Sequence, residues 1–386
     1  MGPTRRHAIL SALAALAVGC SGGSDGGSTA ASDTILVGEY GSITGSEATF
    51  GQSTHNGIML AVEEINAAGG VNGKKIEIKV YDDQGKTQEA GTAVTRLITD
   101  DKVVAILGEV ASGLSIAGGR VAQQYGVPMI SPSSTNAQVT EVGDMIFRVC
   151  FVDGFQGYAG AKFAKDDLKL TKMAILYDQT APYSKGLRDD FTKAWTGMGG
   201  TIVADQAYSA GDQDFSAQLG TIRDAGAEAI YIPGYYTDVG NIALQSRSLG
   251  VTVPLIGGDG WDSSKLAEIG GSAIEGSYYT NHYAKEETRQ EVQTFVSTYR
   301  TKYRADPDGL AALGYDAARV LADAMKRSPS LDGKELAKAI GETKDFPGVT
   351  GRITIDAQRN AVKPAVVVQV KGGTPVFVAS VLPPTN

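Results

Sequence analysis

The sequence predicts an α/β protein built as two doubly wound lobes, and three features carry that prediction. Short apolar runs alternate with helical stripes along the whole chain from about Ile35, the pattern of parallel strands joined by crossover helices. The series restarts near Phe147, as a second lobe of the same kind would require. Gly supplies 49 of the 386 residues, which suits many short turns between strands and helices, and the length suits two domains.

In the first series, residues 35–37 open a strand and 41–51 (GSITGSEATFG) form a glycine-rich loop. Ile58, Ala61, Val62 and Ile65 then recur at helical spacing until Gly69 and Gly70 stop the helix. Residues 76–81 alternate as a strand closed by Asp82 and Asp83, and Ala90, Ala93, Val94 and Leu97 mark the next helix. Residues 103–107 read as a buried strand, 115–125 as a helix stopped by Gly126, and 127–130 as the following strand.

The second series has strands at 173–177, 202–208, 229–232 and 254–257. Its helices are marked by Leu187, Phe191, Ala194, Trp195 and Met198, by Phe215, Leu219 and Ile222 (capped by Asp212 or Asp214), and by residues 239–249. Two long stripes follow, Val292 to Tyr303 and Leu310 to Ala324, and then late strands at 351–355, 365–370 and 376–381. Helices that come after a finished second lobe need a sheet to cover, so the chain is expected to return to the first lobe and cross back near its end.

Residues 1–20 read as a targeting segment: Arg5 and Arg6, an apolar stretch over 8–18, and small residues before Cys20. A cysteine directly after small residues resembles a bacterial lipoprotein signal, in which Cys20 carries lipid; an ordinary secretory leader is the other reading. Residues 21–33 are a flexible linker rich in Gly and Ser. The expected location is therefore the periplasmic or outer face of the cell envelope, with the membrane touched through the lipid alone.

Composition excludes several functions. A formal charge of −8 argues against a nucleic-acid partner. Two cysteines, one of them in the leader, leave no internal disulfide, and no cluster has metal-ligand spacing. The glycine-rich loop is followed by Gln52 where a phosphate loop needs Lys, and no nucleophile elbow or zinc-protease motif occurs. The chain is thus expected to be no enzyme and to hold no cofactor or metal. His55 and His282 stand far apart and suggest neither a ligand pair nor a base.

The chemistry lies in two loops at strand ends: Ser112 and Ser115 after the first strand, and Ser131, Ser133, Ser134 and Thr135 after the second. Ligands of open α/β sheets bind outside the carboxyl ends of strands, and hydroxyls with free N–H groups at a helix start favour an anion. Serine also fills turns and caps helices, so these residues alone allow either a carboxylate pocket or local capping.

Several phrases, taken in order, resemble one family: LAVEEINAAGGVNGKKIEI, YDDQGKTQEA, VVAILGEVASGLS, GVPMISPSSTNAQVT, AILYDQTAPYSKGL, GDQDFSAQL, GYYTDVG and LIGGDGWDS. From Ile35 onward the chain is similar to the periplasmic branched-chain amino-acid-binding (leucine/isoleucine/valine-binding) proteins, the type I solute-binding proteins of ABC transporters. The resemblance implies two lobes joined by three crossovers that close like a trap. The first lobe would be residues 34–152 plus 283–354, and the second 153–282 plus 355–386. It implies that Ser112 and Thr135, with backbone groups at Val110 and at Ser133 or Ser134, hold the ligand carboxylate. It implies that Asp259 meets the ammonium, although the family often has Glu there. Tyr183, Tyr235 or Tyr236, and Phe50 fall where the family places aromatic residues against the ligand. The expected ligand is an apolar or branched-chain amino acid, the expected partner an ABC permease, and the expected state a monomer. The other functional reading is a sensory protein that binds an amino acid, amide or aromatic acid and signals through a membrane partner. Cys150 is expected to be a buried thiol, Trp261 a cleft or core residue, and Tyr315 a packing or lobe-edge residue.

Overall fold

The computed structural model describes residues 34–384. The leader, Cys20 and the spacer as far as residue 33 lie outside the described residues.

The first lobe is built on β1 (Thr34–Gly41), α1 (Ala48–Ala67), β2 (Lys75–Asp82), α2 (Thr87–Thr99), β3 (Ile106–Leu107), α3 (Ser112–Tyr125), β4 (Met129–Ser131), α4 (Gln138–Glu141) and β5 (Ile146–Arg148). Its sheet has the order β2-β1-β3-β4-β5, and every pairing is parallel. Gly126 ends α3 in the left-handed conformation at φ 68°, the role its position in the sequence suggested. The strand expected over 103–107 pairs only at Ile106 and Leu107. The helix after it starts earlier than expected, at Ser112, because the small residues of the loop fit a helical first turn.

The second lobe follows with α5 (Asp153–Asp166), β6 (Lys172–Asp178), α6 (Pro182–Gly197), β7 (Thr201–Tyr208), α7 (Ser216–Asp224), β8 (Ala229–Ile232), α8 (Tyr236–Ser248), β9 (Leu255–Gly257), α9 (Ser264–Gly270) and β10 (Tyr278–Asn281). Before α7, Asp214 rather than Asp212 accepts from the Ser216 N–H, at 2.9 Å.

The chain then returns to the first lobe with α10 (Gln290–Tyr303), α11 (Gly309–Arg327) and α12 (Gly333–Gly341). Helices α1 and α11 meet closely because each places glycine at the crossing. A Cβ on Gly57 would stand 1.9 Å from the Ala311 carbonyl oxygen, and one on Gly314 2.4 Å from that of Thr54.

A small antiparallel sheet of β11 (Phe346–Gly348), β12 (Gly351–Ile355) and β13 (Ala361–Val362) comes next. The chain ends with β14 (Ala365–Lys371) and β15 (Thr374–Val381), which pair antiparallel onto β10 and complete the order β15-β14-β10-β9-β8-β6-β7. The expected return to the second lobe at residue 355 falls too early, since Ile355 and Ala361 still pack in the first core. The reason lies in the turn at 356–360: the Arg359 carbonyl accepts from the Arg148 N–H at 3.1 Å, and its guanidinium reaches the carbonyls of Thr140 and Ile146.

Candidate functional site

Two loops of the first lobe meet at the end of its sheet, and their hydroxyls divide into two groups. Ser131 Oγ and Ser134 Oγ donate to the Glu109 carbonyl at 2.8 and 3.0 Å, and Ser115 Oγ lies 2.7 Å from Ser134 Oγ. These three tie one loop to the other. Arg148 is fully buried and donates to the Ser134 carbonyl at 2.7 Å, which fixes the second loop from behind. Ser112, Ser133 and Thr135 instead line the cleft. Ser112 Oγ accepts from the Asn136 N–H at 3.2 Å; Ser133 Oγ is buried with no partner among the described residues, and Thr135 Oγ1 stands beside the buried Asp153 carboxyl. Neither Ser112 nor Thr135 caps a helix by its side chain, because Ala111 stands before α3 and Ala137 before α4. Ser112 opens α3; the Leu114 and Ser115 N–H groups donate to the Ala111 carbonyl at 3.0 Å, so it is the N–H groups of Ser112 and Gly113 that precede the ladder at this end of the helix. Of the two candidates beside Thr135, Ser133 lines the cleft; Ser134 is spent on holding the loops together.

Facing these groups, the second lobe presents Asp259, from the short 3₁₀ turn Asp259–Trp261 after β9. Its carboxylate is 5% exposed. It accepts from Gln156 Nε2 at 2.7 Å and Tyr183 Oη at 3.0 Å on one oxygen, and lies 3.0 Å from His282 Nε2 on the other. Burial pulls the His282 imidazole down to about 4, so at neutral pH it is an uncharged donor to Asp259. His282 is stacked on Phe151 with ring centroids 3.6 Å apart. No lysine or arginine forms an ion pair with Asp259 among the described residues. Burial raises the Asp153 and Glu109 carboxyls well above the usual carboxylate range. The outcome is one carboxylate held by neutral groups, with its negative charge left for something in the cleft to balance.

The aromatic candidates fall beside it. Tyr183 and Tyr235 are stacked, 5.2 Å apart and 7° from parallel, and Phe50 of the first lobe meets Tyr235 edge to face at 5.7 Å. Tyr236 does not line the cleft. It packs on the other edge of Phe50 and donates to the Ser46 carbonyl at 2.9 Å, which ties the lobes together. Thr49 and Ser263 add a 2.8 Å contact between lobes, and Asn136 donates across to the Pro182 carbonyl at 2.9 Å. The shut lobes leave a cavity of only ≈ 10 Å³ between these groups, so a solute reaches them only when the lobes part.

The resulting lining brings together Phe50, Val110, Ser112, Ser133, Thr135, Tyr183, Tyr235 and Asp259. Sequence reasoning missed Leu310 and Gly260 in the lining, and Gln156 and His282 behind Asp259. His282 was set aside because it lacks a histidine partner; its partner is a carboxylate 23 residues away. Trp261 is a core residue, fully buried with Nε1 donating to the Ile232 carbonyl at 3.0 Å. Cys150 is buried too, and burial pushes its thiol up to about 12. Tyr315 packs on Phe295 and reaches Glu64 with its hydroxyl.

A family model described as periplasmic binding protein matches residues 34–374 of this chain. The chain belongs to the periplasmic binding protein family. Within it, this binding protein is similar to a Leu/Ile/Val-binding protein homolog 1 from Brucella abortus, 32% identical over 91% of this chain and 92% of the relative. Its fold matches a leucine-binding protein, LivK, from Thermotoga maritima with a TM-score of 0.87 and 39% identity, over 90% of this chain and 99% of that one. It also matches a branched-chain amino-acid transporter substrate-binding protein, LivJ, from Streptococcus pneumoniae, solved in complex with isoleucine. That match has a TM-score of 0.84 and 35% identity over 90% and 98% of the two chains. The expected assignment to the branched-chain amino-acid-binding group of type I solute-binding proteins therefore stands, and with it an extracytoplasmic place of action.

Proposed function

We propose that this binding protein captures one branched-chain amino acid between its lobes and delivers it to the permease of an ABC importer, acting as a monomer and by binding alone. The observation that carries the reading is the pairing across one cleft of Asp259, a buried carboxylate with no cation beside it among the described residues, with Ser133, a buried hydroxyl with no partner among them, next to Ser112 and Thr135. A zwitterion leaving water needs each of its charges met separately. Asp259 would take the ammonium. Ser112, Ser133, Thr135 and the N–H groups of Ser112 and Gly113 at the start of α3 would take the carboxylate, with Val110 beside them. Phe50, Tyr183, Tyr235 and Leu310 offer walls to an apolar side chain. A captured solute would sit where Phe50 and Tyr235 now meet, so the liganded lobes stand further apart than here. Because the two charge sites lie on opposite lobes, only a closed form satisfies both, which couples binding to closure. Lipid on Cys20, with residues 21–33 as a tether, would hold the lobes at the membrane beside the permease. The hinge of this reading comprises the three crossovers after Cys150, around Asn281–Tyr283 and between Val362 and Ala365, where the chain leaves one core for the other.

A thermal-shift screen against the common amino acids tests the ligand class. Leucine, isoleucine or valine is expected to raise the melting temperature, because a ligand that binds only the folded state stabilises it; a rise with none of them removes the proposal. In the carboxylate half of the site, Ser112→Ala is expected to weaken binding by about 1–3 kcal/mol, the cost of an unmade bond to a charged group. A calorimetric change of a few tenths would return Ser112 to holding the Asn136 N–H.

A further inference from the structure

A larger cavity lies away from the cleft, at the hinge. Its volume is ≈ 590 Å³, within the range of roughly 300–1,000 Å³ typical of small-molecule sites. Its walls come from two of the crossovers, from the small sheet and from the last strands. Lys363 lines it and is 2% exposed. The Lys363 ammonium donates to Thr350 Oγ1 at 2.6 Å and forms no ion pair among the described residues. Thr350 Oγ1 in turn donates to Asp316 Oδ2 at 2.7 Å, and the Asp316 oxygens also accept from the N–H groups of Val349 and Thr350. Lys363 thus retains N–H capacity for a second acceptor. His282 lines the same cavity, but its Nε2–H is committed to Asp259, which leaves Nδ1 an acceptor that takes no part in holding an anion; Lys363 is the donor of this site. The other charges on the wall are spent or exposed: Arg289 is paired with Glu287, Arg352 with Asp345, and Glu286 lies at the surface. Thr288 and Ser380 add hydroxyls, and the rest of the lining is apolar, with Val362 and Phe377 49% and 42% exposed. A buried ammonium costs free energy unless it is paired, and exposed apolar surface next to it has the same incompleteness.

We propose that this hinge cavity is a second binding site, for a small organic anion with an apolar body, whose carboxylate meets Lys363 and whose chain lies on Val362, Val366 and Phe377. Hexanoate is the probe, titrated by calorimetry into protein already saturated with leucine, with 1-hexanol as the uncharged control. Hexanoate is expected to bind without displacing leucine, and hexanol at least tenfold more weakly. Lys363→Met is expected to weaken hexanoate at least tenfold. Phe377→Ala, at a half-exposed position on β15 outside the crossovers, is expected to weaken hexanoate severalfold while leaving leucine binding within a factor of about two. Absence of hexanoate binding, unchanged affinity in both variants, or competition with leucine would each overturn the hinge site. If leucine itself does not bind, the reading of the cleft fails, and the hexanoate titration of the two variants still decides the hinge site alone.

Discussion

Replacing Asp259 by Ala is expected to lower amino-acid affinity by about 3–5 kcal/mol, two to three powers of ten or more, because it strands an ammonium in a closed cleft. Among the described residues, the side chains that hydrogen-bond the Asp259 carboxylate are all neutral donors. Gln156 and Tyr183 donate to one oxygen, and His282, kept uncharged by burial, faces the other. None of the three can take over opposition to a positive charge when the carboxylate is gone. Asp259→Asn separates charge from shape. The amide fills the same volume but turns an NH₂ toward donors, and it should lose nearly as much affinity as Ala. Asp259→Ala also strands the buried donors of Gln156, Tyr183 and His282, so the unliganded fold is expected to lose about 1–3 kcal/mol or more. Isothermal calorimetry with leucine measures the binding loss and urea unfolding measures the stability. Affinity within a factor of a few of the unmodified protein would remove Asp259 from the site.

The lobes were legible because their elements follow simple periods: apolar runs for buried parallel strands and 3.6-residue stripes for the helices on them. The third crossover was less legible. Sequence marks the turn at 356–360, but not that Arg359 binds carbonyls beside β5 and keeps the chain in the first lobe as far as Ala361. The hydroxyl loops show the same limit. Ser131, Ser133 and Ser134 are alike in composition, and only the fold decides that Ser131 and Ser134 turn inward onto Glu109 while Ser133 faces the cleft. Likewise the doubled tyrosine could not be split by sequence: Tyr235 precedes α8 and faces Tyr183, whereas Tyr236 begins the helix and is carried round to Ser46. His282 and Leu310 carry no local signal, because their role comes from residues far away in the chain.

Trp261→Ala is expected to destabilise the fold by about 3–5 kcal/mol and to weaken ligand binding with it. The indole is fully buried in the second core and fits only because Gly257 has no side chain; a Cβ there would lie 2.1 Å from the ring. Its Nε1 donates to the Ile232 carbonyl at 3.0 Å, which joins the turn after β9 to the end of β8. Asp259 stands two residues before Trp261 in the same 3₁₀ turn, and the Trp261 N–H closes that turn on the Gly258 carbonyl at 3.1 Å. Emptying the indole pocket therefore releases the segment that aims the carboxylate at the cleft. Trp261→Phe keeps most of the apolar volume but not the bond to Ile232, so a smaller stability loss with a partial loss of affinity is expected. Urea unfolding and calorimetry on both variants distinguish the outcomes. If Trp261→Ala lost the expected stability yet bound leucine as tightly as before, the turn would owe its geometry to the hydrogen bonds around Asp259 rather than to the tryptophan beneath it.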